Sequence, residues 1–217
     1  MTLAEENYLK TIFHLERKLK SEVSTNALAE RMQTRASSVT DMMQKLADKK
    51  MLVYKKYKGV QLTEKGKKAA AYVVRKHRLW EVFLVDKLKF HWDEVHDIAE
   101  QMEHINSVEL IKRLDAFLGH PDFDPHGDPI PDKDGNIKKA EKRLLSELIK
   151  NQIGICVGVK ESSPEYLQYL DKKKISIGTK INVLGKEFFD GSMMIQVGRD
   201  QFFVSKQIAE NLYVQIN

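Results

Sequence analysis

The strongest constraint on the fold is a change of hydrophobic period near Asn151. Ahead of it, apolar residues recur every three to four positions, the period of helices that bury one face. Behind it they gather into short β-rich runs, IGICVGV, INVLGKEF, SMMIQVG, QFFVS and LYVQI, separated by Gly, Asp and Lys turns. The sequence therefore reads as mainly α with a small β domain. By strand count residues 151–217 form a compact barrel, interrupted by a single helical piece over residues 164–170.

The 217 residues allow one to three small domains. No apolar run approaches the ~20 residues that a membrane span needs, and the acidic, amphipathic start MTLAEENYLK has no signal-peptide core. A single cysteine, Cys156, excludes an internal disulfide and a Cys-rich zinc site and suits a reducing cytosol, so a cytoplasmic protein is expected. Charge is uneven. Residues 1–75 hold 16 Lys/Arg against 8 Asp/Glu, a net of +8, which leaves −3 of the overall +5 for the remainder. A basic first third on a nearly neutral body is the footprint of a nucleic-acid reader, or simply a solvated basic surface.

The order of elements favours the reader. Residues 3–20 form an amphipathic helix with Tyr8, Ile12, Leu15 and Leu19 in its stripe, widened by Leu9 and Phe13. Ser24 or Thr25 caps a short helix over residues 26–32, Gln33-Thr34 makes a corner, and a longer helix spans residues 35–51 with Val39, Met42, Met43 and Leu46 inward. This is a helix-turn-helix. Arg35, Ser37, Ser38, Thr40 and Gln44 on the third helix are candidates for phosphate and base-edge contacts, although one hydroxyl is expected to cap the helix instead. Strands over residues 52–54 and 60–63 flank a basic wing, with Lys55, Lys56 and Lys58 placed to meet backbone phosphate.

Residues 72–104 carry the metal-ligand chemistry. One helix, residues 72–88, places His77 and Glu81 four apart. A second, residues 92–104 with Asp93 as its cap, places His96, Glu100, Glu103 and His104 at i, i+4, i+7 and i+8. Each set falls on one helical face. Imidazoles and carboxylates converging from two helices make a mixed N/O site for a first-row divalent metal, whereas each set alone could be a solvated face. Ser107 caps a further helix, residues 108–118, whose Val108, Leu110, Ile111, Leu114, Phe117 and Leu118 exceed one buried stripe and suit a second subunit or intrachain packing. Residues 119–135 hold four of the five prolines and read as a loop. Asp122, Asp124, His126 and Asp128 within it are potential ligands without EF-hand spacing. A charged helix is expected over residues 138–150.

Taken together, AEENYLKTIFHLE, SSVTDMMQKLADKKMLVYKKYKGVQLTEKGKK, RKHRLWEVFL, EVHDIAEQMEH and GHPDFDPHGDPIP resemble the diphtheria toxin repressor and manganese transport regulator family of metal-dependent repressors, over nearly the whole chain. The resemblance implies three domains: a winged helix-turn-helix (1–72), a helical metal-binding and dimerisation domain (73–140) and an SH3-like, FeoA-like barrel (151–217). It also implies up to two metal ions per subunit. His77, Glu81 and His96 would hold one, with Glu161 or Glu165 lent by the barrel. Glu100, Glu103 and His104 would hold the other, with a residue of the first helix. That position is Asn7 here, where relatives have Asp or Met; Glu6 is adjacent, and Lys10 stands where short manganese regulators have a carboxylate. Asp124 takes the place of a Cys ligand found in some streptococcal relatives.

Iron-responsive relatives have a soft Cys at the position of Glu100. Carboxylates and imidazoles without a thiol favour Mn(II), with Fe(II) as the alternative. The expected function is a metal-dependent transcriptional repressor of metal-uptake genes. It acts as a homodimer on double-stranded DNA carrying an inverted repeat, with salt-sensitive affinity and with no membrane or small organic substrate as partner. Three rivals differ in kind. A two-metal hydrolase would need a base and a substrate pocket that the sequence does not offer. A winged-helix regulator could sense an organic ligand, and the barrel could serve protein interaction with metal sensing secondary.

Overall fold

The computed structural model describes residues 1–19, 21–55, 58–138 and 141–216. Lys56 of the expected wing contacts lies outside them. The chain divides into two units. The first comprises Met1–Trp80, Ala99–Arg113 and Ile130–Ile137; the second comprises Glu81–Ile98, Leu114–Pro129 and Lys138–Asn217. Among the described residues no helix is long and apolar enough to cross a membrane.

In the first unit, α1 (Leu3–Leu19), α2 (Thr25–Arg31) and α3 (Ala36–Asp48) precede a hairpin of β1 (Leu52–Lys55) and β2 (Gly59–Leu62), and α4 (Glu64–Asp86) follows. Tyr8, Leu9, Ile12 and Phe13 of α1 pack with Leu28, Val39, Met43, Leu46, Leu52 and Leu62 in one core. Leu19 is 48 % exposed, so the α1 stripe ends a turn earlier than its spacing suggests. Ser24 caps α2 by accepting from the Ala27 N–H at 3.1 Å, and Gln33 turns the corner at φ +49°. The cap of α3 is Arg35, without a side-chain bond, so the expected hydroxyl cap is not formed. Thr40 Oγ1 instead donates back to the Ala36 carbonyl at 3.0 Å. The hairpin is pinned by a bridge between Val23 and Val60. Gly59 is required there: its φ is +119°, and a Cβ would lie 2.5 Å from the Val23 carbonyl oxygen.

Glu5, fully buried, joins α1 to α3, accepting from Lys49 Nζ at 2.7 Å and contacting Lys45 Nζ at 3.0 Å. The Lys49 bond, working against burial and helped by Lys45, lowers the carboxyl from 4.5 to about 2. A depressed carboxylate adds stability above its unfolded value, and that stability is lost as pH falls from about 4.5 through about 2. Glu5→Gln is therefore expected to cost about 2 kcal/mol at pH 7, discounted for the half-exposed lysines, and almost nothing near pH 2. Urea unfolding of both proteins at the two pH values tests this; equal differences at both would refute it.

α5 (Val95–Met102) and α6 (Val108–Phe117) contribute, like α4, residues to both units. Ser107 Oγ caps α6 by accepting from the Leu110 N–H at 3.2 Å. Asp93 does not cap α5, which begins at Val95. Its carboxylate bonds His91 Nδ1 and accepts from Gln168 Nε2 at 2.8 Å. The turn before α5 is spent on seating Trp92, which is buried and donates to Asp171 at 3.0 Å.

The second unit is built on a six-stranded antiparallel sheet in the order β3-β8-β4-β5-β6-β7. Its strands are β3 (Arg143–Leu144), β4 (Ile153–Val159), β5 (Lys180–Lys186), β6 (Met193–Val197), β7 (Asp200–Val204) and β8 (Leu212–Ile216). Register shifts at Cys156/Gly158 and Val183/Gly185 bend it. The helix expected over residues 138–150 is absent among the described residues. Arg143 and Leu144 pair with Val214 and Tyr213, and a 3-10 turn follows at Leu145–Glu147. Leu144, Leu145 and Leu148 imitate a helical stripe, but Leu145 and Leu148 are buried in the core of the sheet. The helical piece α7 (Pro164–Lys172) is joined by a second short helix, α8 (Lys206–Ala209), which was not legible in the sequence.

Candidate metal centre

In the second unit, the last turns of α4 supply Glu81, which is 2 % exposed, and the first turn of α5 supplies His96. The loop after α6 supplies Asp124 and His126, both buried. That loop owes its shape to Asp124. Its Oδ1 accepts from the N–H groups of His126 (2.8 Å) and Asp128 (3.0 Å), and its own N–H bonds the Asp128 carbonyl at 3.0 Å. His126 Nε2 lies 2.8 Å from the Trp92 carbonyl, with the imidazole stacked on the indole at an interplanar angle of 13°. With Nε2 donating to that carbonyl, Nδ1 is the atom directed at Glu81, 3.7 Å from Oε1. His96 Nδ1 lies 3.7 Å from the same oxygen. One ligand atom each from Glu81, Asp124 and His126 fall within 4.8 Å of one another.

Burial alone would lower the His126 pKa, but the Glu81 bond and charge, with Asp124, raise it to about 9. Two buried carboxylates that meet an imidazole in this way make a hard oxygen and nitrogen donor set that fits a divalent cation. The loop is seated by the Val159 N–H bond to the His126 carbonyl at 2.9 Å and by Gly127, which lies against the β4 backbone.

In the first unit, Glu103 and His104 follow the last turn of α5, with the Glu103 N–H still bonded to the Ala99 carbonyl at 2.8 Å. Glu103 is 1 % exposed, and its Oε2 lies 2.7 Å from His77 Nδ1. Burial pushes its carboxyl up, but the His77 bond and the Lys10 charge outweigh this and hold it below the usual range. His104 Nδ1 lies 2.9 Å from Glu6 Oε2 and its Nε2 3.7 Å from Glu103 Oε1. Glu6 is thus the α1 carboxylate that meets His104, while Asn7 is half-buried beside it. Glu100 is exposed.

His77 is described with the first unit, and Glu81 and His96 with the second; His77 and Glu81 stand one turn apart on α4. Glu161 and Glu165 are exposed, the former accepting from Ser163 Oγ at 2.7 Å, and neither joins the Glu81 cluster among the described residues. His126 is among the loop's potential ligands in the sequence, but neither of the two expected ligand sets includes it. Its one signal was its place two residues after Asp124 in a proline-rich loop.

The candidate DNA face lies in the first unit. Arg35 at the cap of α3 and Ser37, Ser38, Thr40 and Gln44 on the helix are all exposed, with Gln44 Nε2 bonded to Asp48 at 3.1 Å. Lys55, 3.4 Å from Glu22, and Lys58 are exposed at the base of the wing.

A helix-turn-helix with a hairpin wing, a bent β unit and buried imidazole–carboxylate clusters define a metal-binding winged-helix protein. The comparisons agree. Residues 1–60 match the iron dependent repressor N-terminal DNA binding domain, residues 63–132 its metal binding and dimerisation domain, and residues 143–216 the FeoA domain. A solved manganese-dependent transcriptional repressor in complex with manganese is 34% identical, with a TM-score of 0.87, over 98% of this chain and 100% of that one. The iron-dependent repressor IdeR of Mycobacterium tuberculosis (strain ATCC 25618 / H37Rv) is 36% identical over 58% of this chain and 54% of its own length. A probable metal transport system membrane protein of Chlamydia trachomatis is 51% identical over 70 residues, 32% of this chain and 16% of that protein. The chain therefore spans about half or less of the length of these two curated relatives. It belongs to the diphtheria toxin repressor and manganese transport regulator family of metal-dependent transcriptional repressors, a family of DNA-binding regulators and not of enzymes.

Proposed function

We propose that this chain is a Mn(II)-responsive repressor of metal-uptake genes that binds an inverted-repeat operator as a homodimer. The observation that carries the reading is the buried Glu81–Asp124–His126 cluster, a hard oxygen and imidazole donor set without a thiol. The 34% identity to a manganese-dependent repressor supports the choice of metal.

Two ligand sets follow. Glu81, His96, Asp124 and His126 form one, to which the family resemblance adds His77 and, from the β domain, Glu161 or Glu165. Glu100, Glu103 and His104 form the other with an α1 residue, Glu6 or Asn7. A divalent ion, when bound, supplies the positive charge that lets such carboxylates share one centre. The protein's own part is positional. Glu6 and His104 couple α1 of the DNA-reading domain to the end of α5. Exposed Val108, Leu110 and Phe117 on α6 suit the face of a second subunit. The domains are 1–72, 73–140 and 151–217. Arg35, Ser37, Ser38, Thr40 and Gln44 read the groove, and Lys55, Lys56 and Lys58 hold phosphate. Metal favours the arrangement that fits DNA, so DNA tightens metal binding by the same factor.

Fluorescence anisotropy on the inverted repeat upstream of the protein's own gene, with Mn(II), Fe(II) or chelator, tests this. Chelator is expected to weaken binding by about 100-fold and Mn(II) to restore it. Restoration by Fe(II) alone would make iron the effector, and chelator-insensitive binding would refute the co-repressor reading.

A further inference from the structure

Lys10, on α1, sends its ammonium into the ligand set of the first unit. Its Nζ lies 2.7 Å from Glu103 Oε2 and 3.5 Å from Glu100 Oε1, and 3.4 Å from His77 Nδ1. A second lysine, Lys76, reaches Glu6 Oε2 at 3.4 Å, on the oxygen that also meets His104 Nδ1. Glu6 and Glu103, the two buried carboxylates available to a metal here, are each held by an ammonium. Among the described residues, no group of three convergent ligand atoms is drawn wholly from this unit.

We propose that Lys10 is a resident cation of this ligand set, an internal competitor that must leave before a divalent metal binds and that sets the affinity of the site. The inference rests on reading Glu100, Glu103 and His104 as ligands. One carboxylate cannot serve an ammonium and a divalent ion at close range without strong repulsion between the two cations. Lys10, not Lys76, is the one able to leave. The Lys10 side chain is 13 % exposed and that of Lys76 only 2 %. Lysine carries its charge on a flexible four-carbon stem, so the Lys10 ammonium can swing to solvent at small cost. Exchange of one cation for another also keeps Glu103 from ever being a buried, uncompensated charge. The site is then filled only above a threshold of metal concentration. The Glu81 cluster, where the His126 imidazole that faces Glu81 Oε1 is itself a donor to metal, fills first.

Mn(II) binding to the full chain, followed by the electron paramagnetic resonance of free Mn(II), tests this with Lys10→Gln, Lys10→Met and Glu103→Gln. Wild type is expected to show a tighter and a weaker site. Lys10→Gln and Lys10→Met should tighten the weaker one by about tenfold or more, equal to about 1.4 kcal/mol, and leave the tighter one unchanged. Glu103→Gln should remove the weaker site. In the wild-type protein, amine-reactive labelling read by mass spectrometry should find Lys10 protected without metal and several-fold more reactive with saturating Mn(II). An unchanged or weakened second site in both Lys10 variants, or Lys10 labelling that does not rise, overturns the role of Lys10 while leaving the metal site standing. Retention of both sites in Glu103→Gln overturns the ligand reading and the Lys10 inference with it.

Discussion

Glu81→Gln is expected to weaken Mn(II) binding at the cluster of the second unit by more than about 100-fold, beyond what loss of a mere outer partner of a metal ligand costs. Glutamine keeps the shape of the side chain and removes its charge, so packing around a residue only 2 % exposed is preserved. The ligand set changes more than by one oxygen. Glu81 Oε1 is the atom that both His96 Nδ1 and His126 Nδ1 face at 3.7 Å. Without its negative charge the two imidazoles lose the centre they are arranged around, and Asp124 alone carries the anionic character of the cluster. Calorimetric titration with Mn(II), alongside circular dichroism to show that the fold is intact, decides the matter. A variant with wild-type affinity and stoichiometry would place the metal elsewhere.

Gly127→Ala is expected to destabilise the second unit by about 3 kcal/mol or more. Its φ of +81° already disfavours a side chain, and the added Cβ would stand 2.0 Å from the Val157 carbonyl oxygen and 2.4 Å from Gly158 Cα. Both obstacles are backbone, which cannot rotate away as a side-chain tip does. Relief requires the loop to lift from β4, which would break the Val159 N–H bond to His126 and move His126 off Trp92. Weakened Mn(II) binding should therefore accompany the lost stability. Urea unfolding within about 0.5 kcal/mol of wild type, the range of an ordinary surface substitution, would show that the loop has slack.

Elements governed by local pattern are legible in the sequence. The 3.6-residue stripe of α1, the Ser24 cap, the corner at Gln33, the α3 stripe and the hairpin with Gly59 are short-range features, and each forms close to where the sequence reading places it. The segment around Leu145 misleads for the opposite reason. Its leucine spacing is helical, yet the edge of β8 offers Arg143 and Leu144 backbone partners, and the core of the sheet takes Leu145 and Leu148. Propensity yields where pairing and burial are stronger. Asp93 misleads likewise, since a good capping residue is drawn to His91 and Gln168.

The imidazoles and carboxylates themselves, their helical spacing, the absence of a metal-binding thiol among them and the basic first third were determined by the sequence alone. Which atoms meet was decided only by the tertiary structure, because those contacts join residues far apart in the chain. Glu81 reaches Asp124 and His126 across more than forty positions, Glu6 meets His104 across 98, and Lys10 enters beside Glu103 across 93. Spacing within a helix says which side chains share a face. It carries no information on what that face meets, and so could not show that a lysine stands among the carboxylates of the first unit.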